Sequence, residues 1–180
     1  MKVSQYFIKT QDFAVVDIET TGLNCKTDDI IEISAIKVKN DTVTEEFASL
    51  VKTDKEISPF IVGLTGISNS MLENADDIST VLCELFDFVS DLPIVGHNIG
   101  FDMRFISWNS ALLFGERPGN RTLDSLLFSK EMLPELKSHK LSFLKDYFNI
   151  KGTSHRALDD CRTTFELVEL LKDKCRDSQQ

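Results

Sequence analysis

The chain has 180 residues, 42% of them hydrophobic and 27% charged, with only four prolines. That profile excludes a fibrous or disordered protein and gives enough length to bury a core without disulfide support. Twenty Lys and Arg against twenty-nine Asp and Glu leave a net charge of −9, which on its face argues against a partner as negative as nucleic acid.

Taken in chain order, Phe13-Ala-Val-Val-Asp-Ile-Glu19 is apolar and β-branched until two carboxylates interrupt it, as in a buried strand with a polar end. Ile30 to Lys39 reads as a second strand. Asn40-Asp41 supplies turn chemistry before a third strand from Thr42 to Val51, so the last two form a hairpin. Pro59, Gly63 and Gly66 break up the next segment, and Ala75 to Val89 then carries Ile78, Val81, Leu82, Leu85, Phe86 and Val89 at helical spacing. Pro93 to Gly96 is a short buried strand, followed by a helix from Gly100 whose apolar face includes Trp108, a core position on this reading. Leu123 to Met132 and Leu141 to Phe148 are shorter helices, and a last helix runs from about Leu158. The polar tail from Asp173 is expected to fray. The order indicates one α/β domain over residues 1–180, with its core at about 12–172.

The four cysteines, Cys25, Cys83, Cys161 and Cys175, form no CxxC pair and make no zinc ligand set. The opening residues lack the apolar core of a signal peptide, and no apolar run approaches the ~20 residues of a membrane helix. The expectation is a soluble cytoplasmic protein with reduced thiols and no membrane partner.

Three places carry chemistry. Asp17 and Glu19 are two apart in a strand, so both point to one side of it. Two like charges buried side by side are costly unless a cation neutralises them; alone, the pair is equally compatible with a frayed strand end in solvent. Next, Gly96-His97-Asn98-Ile99-Gly100-Phe101-Asp102 places Asp102 where a helix begins, which by itself is an ordinary site for an acid. Finally, His155 and Asp160 subtend about 140° on an ideal helix. They converge only if His155 lies on the loop ahead of the helix and Asp160 within its first turns, and Gly152, Thr153 and Ser154 suit that arrangement.

Together, Asp17-Ile-Glu19-Thr-Thr-Gly22, His97-Asn98 with Phe101-Asp102, and His155-Arg-Ala-Leu-Asp-Asp160 resemble the three motifs of the DEDDh 3′-to-5′ exonucleases. Within that family the likeness is strongest to the proofreading epsilon subunit, or exonuclease domain, of bacterial DNA polymerase III. Ile30-Ile-Glu32-Ile, Leu64-Thr-Gly-Ile67, Thr122-Leu-Asp124 and Ser138-His139-Lys-Leu141 add to it. The resemblance implies a ribonuclease H-like fold with a mixed five-stranded sheet flanked by helices. It also implies that Asp17, Glu19, Asp102 and Asp160 hold two divalent ions, Mg2+ or Mn2+, with His155 as general base. Asp159 falls off the motif's register. Thr20, Thr21 and Leu23 become candidates for gripping the terminal nucleotide, Asn98 and His97 either for lining the site or for core or turn roles, and Asp124 and His139 for structural hydrogen bonds. The implied reaction is release of nucleoside 5′-monophosphates from single-stranded or frayed DNA 3′ ends, in proofreading or repair, with a DNA polymerase as partner. The alternatives are an exoribonuclease of the same superfamily, resembling oligoribonuclease or ribonuclease T, and an inactive polymerase-associated subunit, which the five matched positions disfavour.

The charge divides along the chain. Lys137 to Arg156 holds five cations against Asp146, a balance of +4 leading into the third motif, whereas Glu73 to Asp91 holds six acids and no cation. The first stretch is expected beside the substrate and the second in solvent.

Overall fold

The computed structural model describes residues 2–151 and 156–177. Five strands, β1 (Phe13–Thr20), β2 (Ile30–Lys39), β3 (Thr42–Leu50), β4 (Ile94–Gly96) and β5 (Thr122–Asp124), form one sheet in the order β3-β2-β1-β4-β5. The first three make an antiparallel meander, while β4 runs parallel to β1 and β5 parallel to β4. Asn40 and Asp41 turn the β2–β3 hairpin with φ of 50° and 56°, left-handed values that Asn and Asp tolerate.

Among the described residues, eight helices flank this sheet: α1 (Val3–Lys9), α2 (Pro59–Thr65), α3 (Asn69–Leu72), α4 (Ile78–Val89), α5 (Gly100–Phe114), α6 (Ser125–Met132), α7 (Leu141–Phe148) and α8 (Ala157–Asp177). The period-two alternation of β1 assigns them to two faces. Phe13 and Val15 pack with Cys161, Leu167, Val168 and Leu171 of α8, while Ala14, Val16 and Ile18 pack with Val81, Leu82 and Leu85 of α4 and Phe105 and Ile106 of α5. Asp17 and Glu19 continue the row of Phe13 and Val15, so the strand aims both acids toward α8. The strand does not fray at Val16, since Asp17 pairs with Ser34 and Glu19 with Glu32 in the β1–β2 ladder.

Several expectations need correction. The N-terminal helix α1 is absent from the sequence pattern because it is capped by a distant residue: Glu131 of α6 accepts from the Val3 and Ser4 N–H groups at 2.7 and 3.4 Å. Phe7 then stacks on Phe128 with ring centroids 4.5 Å apart. The segment read as one helix from Leu123 begins instead with strand β5. The tail does not fray at Asp173, because α8 continues to Asp177 with Cys175 buried. One turn earlier, Lys172 is buried against Asp41 and Glu169 at 2.7 and 2.9 Å. Trp108 is half-buried and lines a surface groove rather than the core. Among the described residues, no helix is long and apolar enough to cross a membrane.

Candidate active site

The acids meet at the C-terminal end of β1. One carboxylate oxygen from each of Asp17, Glu19 and Asp160 lies within 4.8 Å of the others. Asp160 reaches the pair from the first turn of α8. Asp159, beside it, turns to Arg162 at 3.2 Å. Asp102, on the first turn of α5, is 4% exposed. It is fastened to the strand from below, as its Oδ1 accepts the Ile18 N–H at 3.2 Å, and Ile18 is the residue between the two β1 acids. Gly96 is tightly packed beside β1. A Cβ there would collide with the Ile99 side chain and stand 3.0 Å from the Val16 carbonyl oxygen.

Burial of so many like charges raises their proton affinities. Asp17 is held well above the usual carboxylate range by desolvation first and then by the charges of Asp102, Asp160, Glu19 and Glu32. Desolvation pushes Glu19 up to about 7, helped by Asp160 and Glu32 and opposed by Arg156. Asp102 also rises to about 7 through burial, against the lowering effect of its backbone hydrogen bonds. Such a cluster is costly as bare anions, and a divalent cation offsets that cost. The donors are all oxygens, which suits hard cations. Ser34, cross-strand from Asp17, contributes a buried hydroxyl with no partner among the described residues. This donor set can hold a metal ion.

Two further residues brace the site. Glu32 is 3% exposed and faces Glu19 across the ladder, an unfavourable pairing that Arg156 relieves. Arg156 grips Glu32 with its Nε at 3.1 Å and Nη2 at 2.6 Å, and the Ala157 N–H donates to the same carboxylate at 3.1 Å. The start of α8 is thereby tied to β2, which fixes where Asp160 emerges. Glu32 is marked in the sequence only by the Ile30-Ile-Glu32-Ile likeness, and nothing local marks its partner.

The acids open into a cleft of about 280 Å3 lined by Asp17, Ile18, Glu19, His97, Leu141, Ser142, Lys145 and Asp160. Lys145, on α7, is 8% exposed and is the cation in this wall. In the rest of the +4 stretch, Lys137, Lys140 and Lys151 are exposed, and Arg156 is engaged by Glu32. The six acids of Glu73 to Asp91 are all exposed, as expected.

His97 lines the cleft as a wall. Its Nε2 donates to the His139 carbonyl at 2.7 Å, which leaves Nδ1 to accept from Ser125 Oγ at 2.9 Å; burial lowers its pKa. Asp124 accepts the N–H groups of Asn98 and Leu126, both at 2.9 Å, and the His139 ring bonds Ser129 at 3.0 Å, structural roles in both cases. Asn98 has φ of 64° and is not among the residues lining the cleft. Thr20 and Thr21 use their hydroxyls internally. Thr20 Oγ1 donates to the Gly22 carbonyl at 2.6 Å, and Thr21 Oγ1 accepts the Asp29 N–H at 2.9 Å. Leu23, at the tip of this braced loop, is 82% exposed. His155 lies outside the described residues.

A mixed five-stranded sheet with paired acids ending its central strand defines the ribonuclease H-like exonuclease class. The chain belongs to the exonuclease family whose model, RNase_T, matches residues 14–168. It is 38% identical over 167 residues to a PolC-type DNA polymerase III of Caldanaerobacter subterraneus subsp. tengcongensis, covering 92% of this chain and 12% of that protein. It is 36% identical over 163 residues to the 3′-5′ exonuclease DinG of Staphylococcus aureus, covering 90% and 18% respectively. The chain thus spans under a fifth of the length of either relative. Among solved structures, E. coli exonuclease I in complex with a dA16 oligonucleotide superposes with a TM-score of 0.79 at 21% identity, covering 93% of this chain and 42% of that one. The nuclease domain of 3′hExo, described as a DEDDh family member bound to rAMP, gives 0.77 at 18% identity, with 92% and 94% covered.

Proposed function

We propose that this chain hydrolyses DNA from the 3′ end, releasing nucleoside 5′-monophosphates from single-stranded or frayed termini in proofreading or repair. The observation that carries the reading is the convergence of Asp17, Glu19 and Asp160 within 4.8 Å, with Asp102 fastened to the intervening residue. These acids are assigned to hold two divalent ions, Mg2+ or Mn2+. When bound, such ions offset the charge of the acids and of the scissile phosphate and stabilise the attacking and leaving oxygens.

The remaining work falls to the chain itself. Lys145 supplies positive charge where a phosphate would enter. The loop braced by Thr20 and Thr21 presents Leu23 to the terminal base, with backbone contacts from Thr20 and Thr21. Asn98 is assigned to the substrate side of the turn that Asp124 holds. Leu141 and His97 narrow the cleft. His155, two residues ahead of α8, is assigned as general base on its motif position, to take the proton of the attacking water. The similarity to PolC-type polymerases supports action in the cytoplasm beside a DNA polymerase.

A competition assay tests this reading. Labelled single-stranded DNA, mismatched duplex DNA and short RNA are mixed with the protein and Mg2+ or Mn2+. The expected result is stepwise shortening of the DNA from its 3′ end, abolished by chelator. Preferential loss of the RNA would reassign the substrate, and no cleavage under any metal would overturn the reading.

A further inference from the structure

Outside the cleft, the outer stripe of α5 forms a second concave surface. Gly100, Met103, Arg104, Ser107 and Trp108 recur at helical spacing on it, and with Cys25 and Arg117 they line a groove of about 320 Å3. No acid lines it. Lys26 lies over the Trp108 ring, 5.4 Å from its centre, and Arg104 over Phe101 at 5.7 Å. Among the described residues, Lys26, Arg104 and Arg117 form no ion pair. In a chain of net charge −9, three unpaired cations around one half-buried indole are a local reversal of sign.

We propose that this groove binds the single strand upstream of the 3′ end, stacking a base on Trp108 and meeting its phosphates with Lys26, Arg104 and Arg117. The inference rests on the nuclease reading for its direction, because both walls extend elements that carry the acids. Cys25 and Lys26 lie on the loop leaving β1, and the opposite wall is the helix that bears Asp102. Trp108 stands six residues beyond Asp102, about 9 Å along the helix axis, or two to three nucleotides at about 3.4 Å each. Aromatic stacking beside a cationic track is how single strands are held without sequence preference. Lys26 is exposed and can exchange the indole for a phosphate, uncovering the ring face.

Trp108 is the chain's single tryptophan, so its emission reports on this groove alone. In chelator, where cleavage is off, titration with an oligothymidylate of about eight nucleotides, within the span of one such site, is expected to quench that emission saturably. Thymidine 5′-monophosphate at the same nucleotide concentration leaves it unchanged. Arg104→Ala with Arg117→Ala should raise the midpoint about tenfold and reduce its salt dependence. With metal, Trp108→Leu should raise KM for the long oligonucleotide about tenfold and leave cleavage of a thymidine dinucleotide unchanged. Anisotropy showing the oligonucleotide bound while Trp108 emission stays constant would overturn the proposal, as would arginine variants that bind like the parent chain. Quenching in a protein that cleaves nothing would uphold the groove and defeat the nuclease reading, so the two fail separately.

Discussion

The molecule has two acidic regions with opposite fates. Along Glu73 to Asp91, six carboxylates stand in solvent on and around α4. At the end of β1, Asp17, Glu19 and Asp160 converge, with Asp102 fastened to Ile18, Glu32 behind them, and Lys145 and Arg156 as nearby cations. The first region costs nothing to ionise in water; the second resists ionisation, as the raised proton affinities of Asp17, Glu19 and Asp102 record. Charge count therefore says little about function here. Acids forced out of water in one another's company mark the site, and the net charge of −9 sums both kinds.

The largest effect that would sharpen this contrast is loss of a converging acid. Asp17→Asn should lower the rate of 3′ cleavage by at least about 10³-fold, whereas Glu84→Gln with Asp87→Asn on α4 should leave it within about twofold; a gel assay of oligonucleotide shortening measures both. Lys145→Ala should follow, costing about 10- to 100-fold in kcat/KM, as expected for one charged group directed at a phosphate. Arg156→Ala strands Glu32, buried at 3% exposure, and should destabilise the fold by about 2–3 kcal/mol in denaturant titration. That is less than a fully buried pair would lose, since the Arg156 side chain is itself 45% exposed.

A smaller effect follows from pH. Glu19 and Asp102 sit at about 7 in the fold, against about 4 in an unfolded chain. Between those values the folded state holds protons that the unfolded state has lost, so in chelator stability declines as pH rises from about 4 to 7. Moving from pH 8 to pH 6 should therefore raise stability by about 2 kcal/mol and Tm by several degrees, read by calorimetry. Mn2+ should reverse the trend, because it competes with those protons.

Much of this was legible in the sequence. The meander from Phe13 to Leu50 follows from β-branched runs and the Asn40-Asp41 turn, and the placement of Asp17 and Glu19 on one side follows from period two. The motif register assigns Asp160 rather than Asp159, and in the fold Asp160 lies near Asp17 and Glu19 while Asp159 meets Arg162. What stayed hidden was made by partners far away in the chain. Helix α1 has seven residues and relies on Glu131 for its cap. Strand β5 has three residues and exists by pairing with β4. The charge pattern put the basic stretch beside the substrate, but that Lys145 in particular lines the cleft follows from the packing of α7, which buries it there. Trp108 sat on an apolar stripe, yet the loop carrying Cys25 and Lys26 leaves it at a groove.

Two neighbouring carboxylates put the central claim to its most direct test, since Asp160 faces Asp17 and Glu19 while Asp159, one residue earlier, turns to Arg162. Single-turnover cleavage of a labelled single strand in Mg2+ should fall by at least about 10³-fold in Asp160→Asn and by less than about threefold in Asp159→Asn. Equal losses in the two variants, or full activity in Asp160→Asn, would contradict the account.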